Sequence, residues 1–281
     1  KLHRERNPFA AVCARVCFHP CENKCRRSML DDPVSVRALK RFMADQEVTV
    51  QTPEARVDDA SAARKVAIVG AGPAGLSCAY FLARLGYSPR VFEAEARPGG
   101  MLVQGIPAYR LPREILDREV RMIQRLGVDI ETGRRLGRDF TLQGLHDDGY
   151  QAVFLAVGAP QGLKLGVPGE TLAGVVESMD FLRDYNLSGK AGVGRRVVVI
   201  GGGNAAIDAA RTAHRLGAAS VTIVYRRTRD EMPAWGEEVE EAERERVHLR
   251  MLAAPVEILG RDGRVAGVRC QAMILGEFDR S

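Results

Sequence analysis

The chain contains one strand–turn–helix plan twice. Lys65-Val-Ala-Ile-Val69 runs into Gly70-Ala-Gly-Pro-Ala-Gly75, and 131 residues later Arg196-Val-Val-Val-Ile200 runs into Gly201-Gly-Gly-Asn-Ala-Ala206. An amphipathic stretch follows each turn, to about Leu85 before Gly86 and to about Leu216 before Gly217. A second short strand is predicted after each, Arg90–Glu93 and Ser220–Tyr225. Short β-branched runs alternating with helical stretches restrict the fold to the α/β class, with parallel strands joined by helical crossovers. The pattern predicts two Rossmann-like dinucleotide-binding units. In such a turn the first glycine permits a tight bend and the second lets the main chain approach a pyrophosphate. The third small residue, Gly75 or Ala206, lets the helix pack close to the strand. The helix start then offers its N–H groups to phosphate. A glycine run alone is a weak signal, but a strand before it and a helix after it supply the context the motif requires.

The two units differ where their second strands end. The first ends on Glu93, 18 residues after Gly75. A carboxylate there accepts hydrogen bonds from both ribose hydroxyls, as FAD or NAD requires. The second ends on Tyr225-Arg226-Arg227, where guanidinium groups can pair with the 2′-phosphate of NADP. A plain surface charge pair is the competing reading of Arg226 and Arg227. Two such sites in one chain point to a flavoprotein reduced by a nicotinamide, with the chemistry residing on the cofactors. No side-chain acid or base is then compulsory, so His146, His214 and His248 are given no catalytic role.

With 281 residues the chain has room for about two domains. Its longest apolar runs, such as Val197–Ile200, are too short to span a bilayer. The net charge of +5 is spread among acids, as in 237–246, which reads as solvated helix faces and not as a nucleic-acid surface. No secretory signal is visible, and a cytoplasmic location is expected. Four of the six cysteines, Cys13, Cys17, Cys21 and Cys25, fall at one interval near the start. Thiolates in that number suit an iron–sulfur cluster or zinc, and a reducing cytosol disfavours disulfides. On a continuous helix the four sulfurs would form a stripe about 6 Å apart and could not surround one cluster. Pro20 breaks that helix and lets the run fold back. A helix near Val34–Asp45 and a linker over 47–63 follow. Cys78 and Cys270 read as core residues, and neither forms the CxxC pair of a dithiol enzyme.

Asn7-Pro-Phe-Ala-Ala-Val-Cys-Ala-Arg-Val-Cys17 resembles the opening element of the glutamate synthase small (β) subunit family, which includes the N-terminal half of dihydropyrimidine dehydrogenase. The resemblance continues through both glycine turns, Gly99–Pro112 and Tyr225–Ala234, and covers nearly the whole chain. It implies an electron-input oxidoreductase: NADPH reduces FAD, and single electrons pass through [4Fe–4S] clusters to a larger catalytic subunit or fused domain. By the same resemblance FAD is held by Gly70, Gly72, Pro73, Ala74, Gly75, Glu93, Gly100, Met101, Arg110 and Leu136. NADP is held by Gly203, Asn204, Ala205, Arg226, Arg227 and Arg229, and the clusters by the cysteine quartet. The implied domains are 1–62 (helical, iron–sulfur, with linker), 63–190 (FAD-binding) and 191–281 (NADP-binding). The chain starts on Lys1 and stops before the return to the FAD half, so both ends are expected to be truncated, with an upstream cysteine group missing. Two other readings stay open: a non-catalytic nucleotide-binding docking module, and an NADH-dependent version feeding another acceptor.

Overall fold

The structure, a computed structural model, describes residues 2–46 and 64–276; the expected linker at 47–63 lies outside them. The chain divides into two compact units, Lys1–Ala159 and Pro160–Ser281. The first opens with three helices, α1 (Leu2–Arg6), α2 (Ala10–Val16) and α3 (Val36–Asp45). Then come β1 (Lys65–Val69), α4 (Pro73–Arg84) and β2 (Ser88–Phe92). They are followed by α5 (Met101–Gln104), α6 (Arg113–Gln124), β3 (Asp129–Glu131), α7 (Leu142–Asp147) and β4 (Ala152–Leu155). The strands form one parallel sheet in the order β3-β2-β1-β4, with Lys65 opposite Ser88 and Val66 opposite Ala152. Glu93 lies just past β2.

Strand β1 is buried from Val66 to Val69, as a central parallel strand must be. Its side chains alternate between two cores. Ile68 joins Val91 and the buried stripe Leu76, Ala79, Tyr80 and Ala83 of α4, whose helical spacing aims one face at the sheet. Ala67 and Val69 pack on the opposite face with Phe92, Leu145 and Tyr150. Phe9 and Val12, from the cysteine-bearing segment, belong to the α4 side of this core. That segment is also tied down by a buried ion pair. Arg4 lies 3.0 Å from Glu119 on α6, with the two side chains 3% and 0% exposed. The same Glu119 Oε1 accepts the Ala11 N–H at 3.1 Å, and the Tyr80 hydroxyl donates to the Arg4 carbonyl at 2.6 Å. Glu119 thus caps α2 from another helix. Burial pushes its carboxyl above the usual range, against the pull of Arg4.

The second unit holds α8 (Ser178–Ser188), β5 (Arg196–Ile200), α9 (Asn204–Arg215), β6 (Ser220–Val224), α10 (Gly236–Arg244) and β7 (His248–Arg250). A hairpin, β8 (Ala253–Arg261) with β9 (Arg264–Ala272), follows. Strands β5, β6 and β7 make a parallel sheet in that order. Phe181 of α8 packs against its core, beside Ile207, Ala210 and Ile223. The hairpin is antiparallel and turns at Asp262-Gly263, both at positive φ, as a two-residue turn of this hand needs.

Helix α9 buries a guanidinium. Arg211 pairs with Glu238 at 3.0 Å and Glu245 at 2.6 Å, and Arg215 also pairs with Glu245. Burial alone would raise the Glu245 carboxyl, but the two arginines outweigh it and hold it below the usual glutamate range.

Two outcomes are expected. Glu119→Ala leaves the Arg4 guanidinium buried without its carboxylate and should cost about 3–5 kcal/mol in urea denaturation. Glu245→Gln should lower the urea midpoint at pH 7. Because the folded carboxyl is held down, that difference is full above the ordinary glutamate value, about 4.5, and shrinks as pH falls through the lower folded-state value.

Candidate dinucleotide turns and cysteine segment

The first turn is a stack of close main-chain approaches. Gly70 has φ +106°, and its N–H donates to the Phe92 carbonyl at 2.8 Å. A Cβ on Gly70 would overlap the Ala156 carbonyl oxygen, and one on Gly75 would overlap the Gly70 carbonyl oxygen. The protein's own backbone therefore requires these two glycines. Gly72 differs, since a Cβ there would find only the Gly100 Cα, at 4.0 Å. Gly100 sits at φ +52°, and a Cβ on it would lie 2.8 Å from the Gly72 Cα. Its neighbour Gly99 donates to the Ala71 carbonyl at 2.8 Å, so this second glycine pair is laid against the first turn. Gly72 caps α4 with no side-chain partner and Pro73 occupies the first turn of the helix. Ala74 follows it there.

Glu93 is buried beside this turn. Its Oε2 accepts the Ala71 N–H at 2.7 Å and its Oε1 accepts the Glu95 N–H at 2.9 Å. Sequence reasoning assigned it only to a ribose; the structure adds that it fastens the turn itself. Each oxygen keeps capacity for a further donor. Met101 begins α5 and is partly exposed. Arg110 lies in the bend after Pro107, its N–H donating to the Pro107 carbonyl. Leu136 bridges to Phe140 and packs with Val69 and Phe92 on the sheet face away from α4.

The second turn repeats the geometry with different neighbours. Gly201 has φ +132° and donates to the Val224 carbonyl at 3.0 Å. Gly203 caps α9 with no side-chain partner, and a Cβ on it would meet nothing within 4 Å. Asn204 and Ala205 form the half-buried start of that helix, and Asn204 Oδ1 accepts the Trp235 N–H at 3.1 Å. Arg226 is exposed just past β6 and makes no ion pair among the described residues. Arg227 stands 3.9 Å from Glu231, and Arg229 lies 2.7 Å from Glu243. In both turns the middle glycine answers no need of the protein's own packing. That leaves room for a ligand's approach, as the fit to a bound pyrophosphate demands.

The helix stops ahead of Pro20, as a break there predicts. Helix α2 carries Cys13 and ends at Val16, and Cys17 is already extended. Turns follow over 20–24, with His19 at φ +39°. The Cys13 thiol donates to Asn7 Oδ1 at 3.8 Å, and Cys17 Sγ accepts the His19 N–H at 3.3 Å. Cys21 is exposed, and Cys25 precedes a 3₁₀ turn at Arg26–Met29. Burial pushes the Cys13 thiol up, whereas main-chain hydrogen bonds at Val34 and Arg27 hold Cys25 down. The donor set is that of a thiolate-ligated cluster. Among the described residues, no three His, Cys, Asp or Glu side chains are gathered around one point. Nor is any helix long and apolar enough to cross a membrane.

The fold and its two turns define an α/β protein with paired dinucleotide-binding units. Residues 64–276 match the family described as pyridine nucleotide-disulphide oxidoreductase, and the chain belongs to that family. Residues 1–52 match dihydropyrimidine dehydrogenase domain II, 4Fe-4S cluster. Over 99% of its length the chain is 43% identical to the NADP(+)-dependent formate dehydrogenase subunit beta of Moorella thermoacetica, covering 43% of it. It is 44% identical to the NADPH-Fe(3+) oxidoreductase subunit beta of Geobacter sulfurreducens, again over 99% of this chain, covering 42% of the relative. The glutamate synthase [NADPH] small chain of Escherichia coli is 34% identical, 62% of it being covered by 99% of this chain. The chain thus spans less than half the length of the first two relatives. Among solved structures, FprA of Mycobacterium tuberculosis in complex with NADPH aligns with TM-score 0.58 at 21% identity, over 74% of this chain and 67% of that one. Thioredoxin reductase of T. acidophilum aligns with TM-score 0.54 at 24% identity, over 76% and 73%. At these identities the likeness establishes the fold. The family's name includes a disulphide, yet all six cysteines here are free, and Cys78 and Cys270 sit on α4 and β9.

The two kinds of glycine should part company on substitution. Gly203→Ala should keep thermal stability within about 1 kcal/mol and abolish binding of NADP(H) measured by calorimetry. Gly75→Ala should cost well over 1 kcal/mol through backbone overlap, seen as a lowered thermal midpoint.

Proposed function

We propose that the full-length protein is an electron-input oxidoreductase that takes electrons from NADPH and passes them on to a partner subunit or fused domain. The observation that carries this reading is the contrast between the two turns: a buried carboxylate beside the first, exposed guanidinium groups beside the second. When bound, the nicotinamide and flavin supply hydride chemistry and an iron–sulfur cluster supplies single-electron steps.

The chain's own residues bind and select. At the first turn, Glu93 accepts from ribose hydroxyls, and a phosphorylated ribose there would face its charge. Gly72 and Gly100 admit the pyrophosphate to the start of α4, joined by Pro73, Ala74 and Met101. Arg110 and Leu136 belong to the same proposed site. At the second, Gly203, Asn204 and Ala205 offer the start of α9, and Arg226 and Arg227 select the 2′-phosphate with Arg229 nearby. Cys13, Cys17, Cys21 and Cys25 are the proposed cluster ligands. The names of the relatives, subunits of NADPH-linked and NADP-linked oxidoreductases, support this reading, as does the iron–sulfur match to residues 1–52. The cytoplasm is the proposed location.

Anaerobic titration of the full-length, flavin-loaded protein with NADPH is the test. Bleaching of the flavin absorption is expected, with NADH much less effective. NADPH binding without bleaching would overturn the electron-input reading in favour of a docking module.

A further inference from the structure

The segment after β6 is folded onto the second glycine turn by its own contacts. The Tyr225 ring lies over Gly202, where a Cβ would come within 2.6 Å of it. The Ala234 N–H donates to the Gly202 carbonyl at 3.0 Å, and the Trp235 N–H donates to Asn204 Oδ1 at 3.1 Å. Both ends of the segment are therefore fastened to the turn. Its middle is closed by Glu231. Glu231 Oε2 accepts the Thr228 N–H at 3.1 Å and the Thr228 hydroxyl at 2.9 Å. The Glu231 carbonyl accepts the Tyr225 hydroxyl at 2.8 Å. This is a capping box spanning Thr228 to Glu231. Within the loop so closed, Arg229 is engaged by Glu243 at 2.7 Å, and Arg227 stands 3.9 Å from Glu231. Arg226 alone of the three has no carboxylate partner among the described residues.

We propose that Glu231 is a positioning residue for the choice of NADPH over NADH: it holds the Arg226–Thr228 turn in shape, so that Arg226 is presented to the 2′-phosphate. This rests on reading the second turn as the NADP site. A preformed loop spares the ordering cost that a floppy one would incur on binding. The sign of the effect separates this role from simple electrostatics. Glu231 is an anion near the place of another anion, so by charge alone its removal should tighten NADPH binding. As a brace, its removal should weaken it.

The test uses steady-state kinetics of the full-length, cofactor-loaded protein with both nucleotides, and calorimetry with 2′,5′-ADP. Glu231→Gln keeps an acceptor oxygen for Thr228 and loses the charge; its KM for NADPH should equal or fall below that of the parent. Glu231→Ala loses the brace. Its KM for NADPH and its dissociation constant for 2′,5′-ADP should rise about tenfold, the scale of a lost cap. Its kcat and its KM for NADH should stay within about twofold, a margin well inside the tenfold that 1.4 kcal/mol represents. Tyr225→Phe, which removes the hydroxyl bond to Glu231, should shift NADPH in the same direction by less, and decides the matter where Glu231→Ala does not fold. An unchanged or lowered KM for NADPH in Glu231→Ala, or an equal rise for both nucleotides, overturns the proposal. Arg226→Ala separates the two levels. If it erases the preference for NADPH while Glu231→Ala does not, the brace fails and the NADP site stands. If Arg226→Ala leaves the preference intact, the site reading itself fails.

Discussion

The first unit depends on a close approach between two glycines. Gly75 on α4 faces the carbonyl of Gly70 at a separation that admits no side chain. That contact brings the helix down onto the end of β1, and other features of the unit follow from it. The start of α4 is aimed back over the strand end, leaving N–H groups without a side-chain cap. The apolar stripe from Leu76 to Ala83 reaches Ile68 and Val91. The Gly99–Gly100 pair is laid against the turn, the Gly99 N–H donating to the Ala71 carbonyl. A methyl group at Gly75 would lift the helix and undo all three.

The second unit reaches the same turn with slightly more room. Ala206 stands where Gly75 stands in the first, and the space between its methyl and a Cβ on Gly201 would be ordinary contact at 3.6 Å. What differs chemically is the neighbour supplied by the next strand. Past β2 stands Glu93, buried and bonded to main-chain N–H groups. Past β6 stands a loop of arginines at the surface, with Tyr225 pressed on the turn beneath it. One scaffold is thus given opposite charge by two short stretches of sequence, and charge is what discriminates a bare ribose from a phosphorylated one.

Legibility in the sequence followed the range of the interaction. Strands β1 and β5, their turns and the helices after them were readable because each rests on local pattern: an apolar run, glycines at fixed spacing, a helical stripe. The end of α2 was readable from Pro20. The Thr228–Glu231 box, although local, went unread, since nothing beside it suggested a helix start. Contacts between distant residues were not readable. Nothing near Glu119 announces that it caps a helix 108 residues earlier in the chain, and nothing near Glu93 announces its bond to Ala71, 22 residues before it. The hairpin β8–β9 was not legible as a hairpin, since its exposed, bulged strands lack clean alternation. Whether the cysteine sulfurs come together is likewise beyond spacing alone, because only the path of the chain between them can set it.

The Glu119 cap gives the cysteine-bearing helix a lifetime out of proportion to its length. A seven-residue helix is ordinarily marginal on its own. Here the Ala11 N–H is shut away against a carboxylate that exposes no surface, and Arg4 and Tyr80 close the same compartment. Its proton should be traded for solvent deuterium more slowly than so short a helix alone would allow, because exposing it means opening the buried Arg4–Glu119 pair, and Cys13, the first metal-binding candidate in the sequence, rides on that helix.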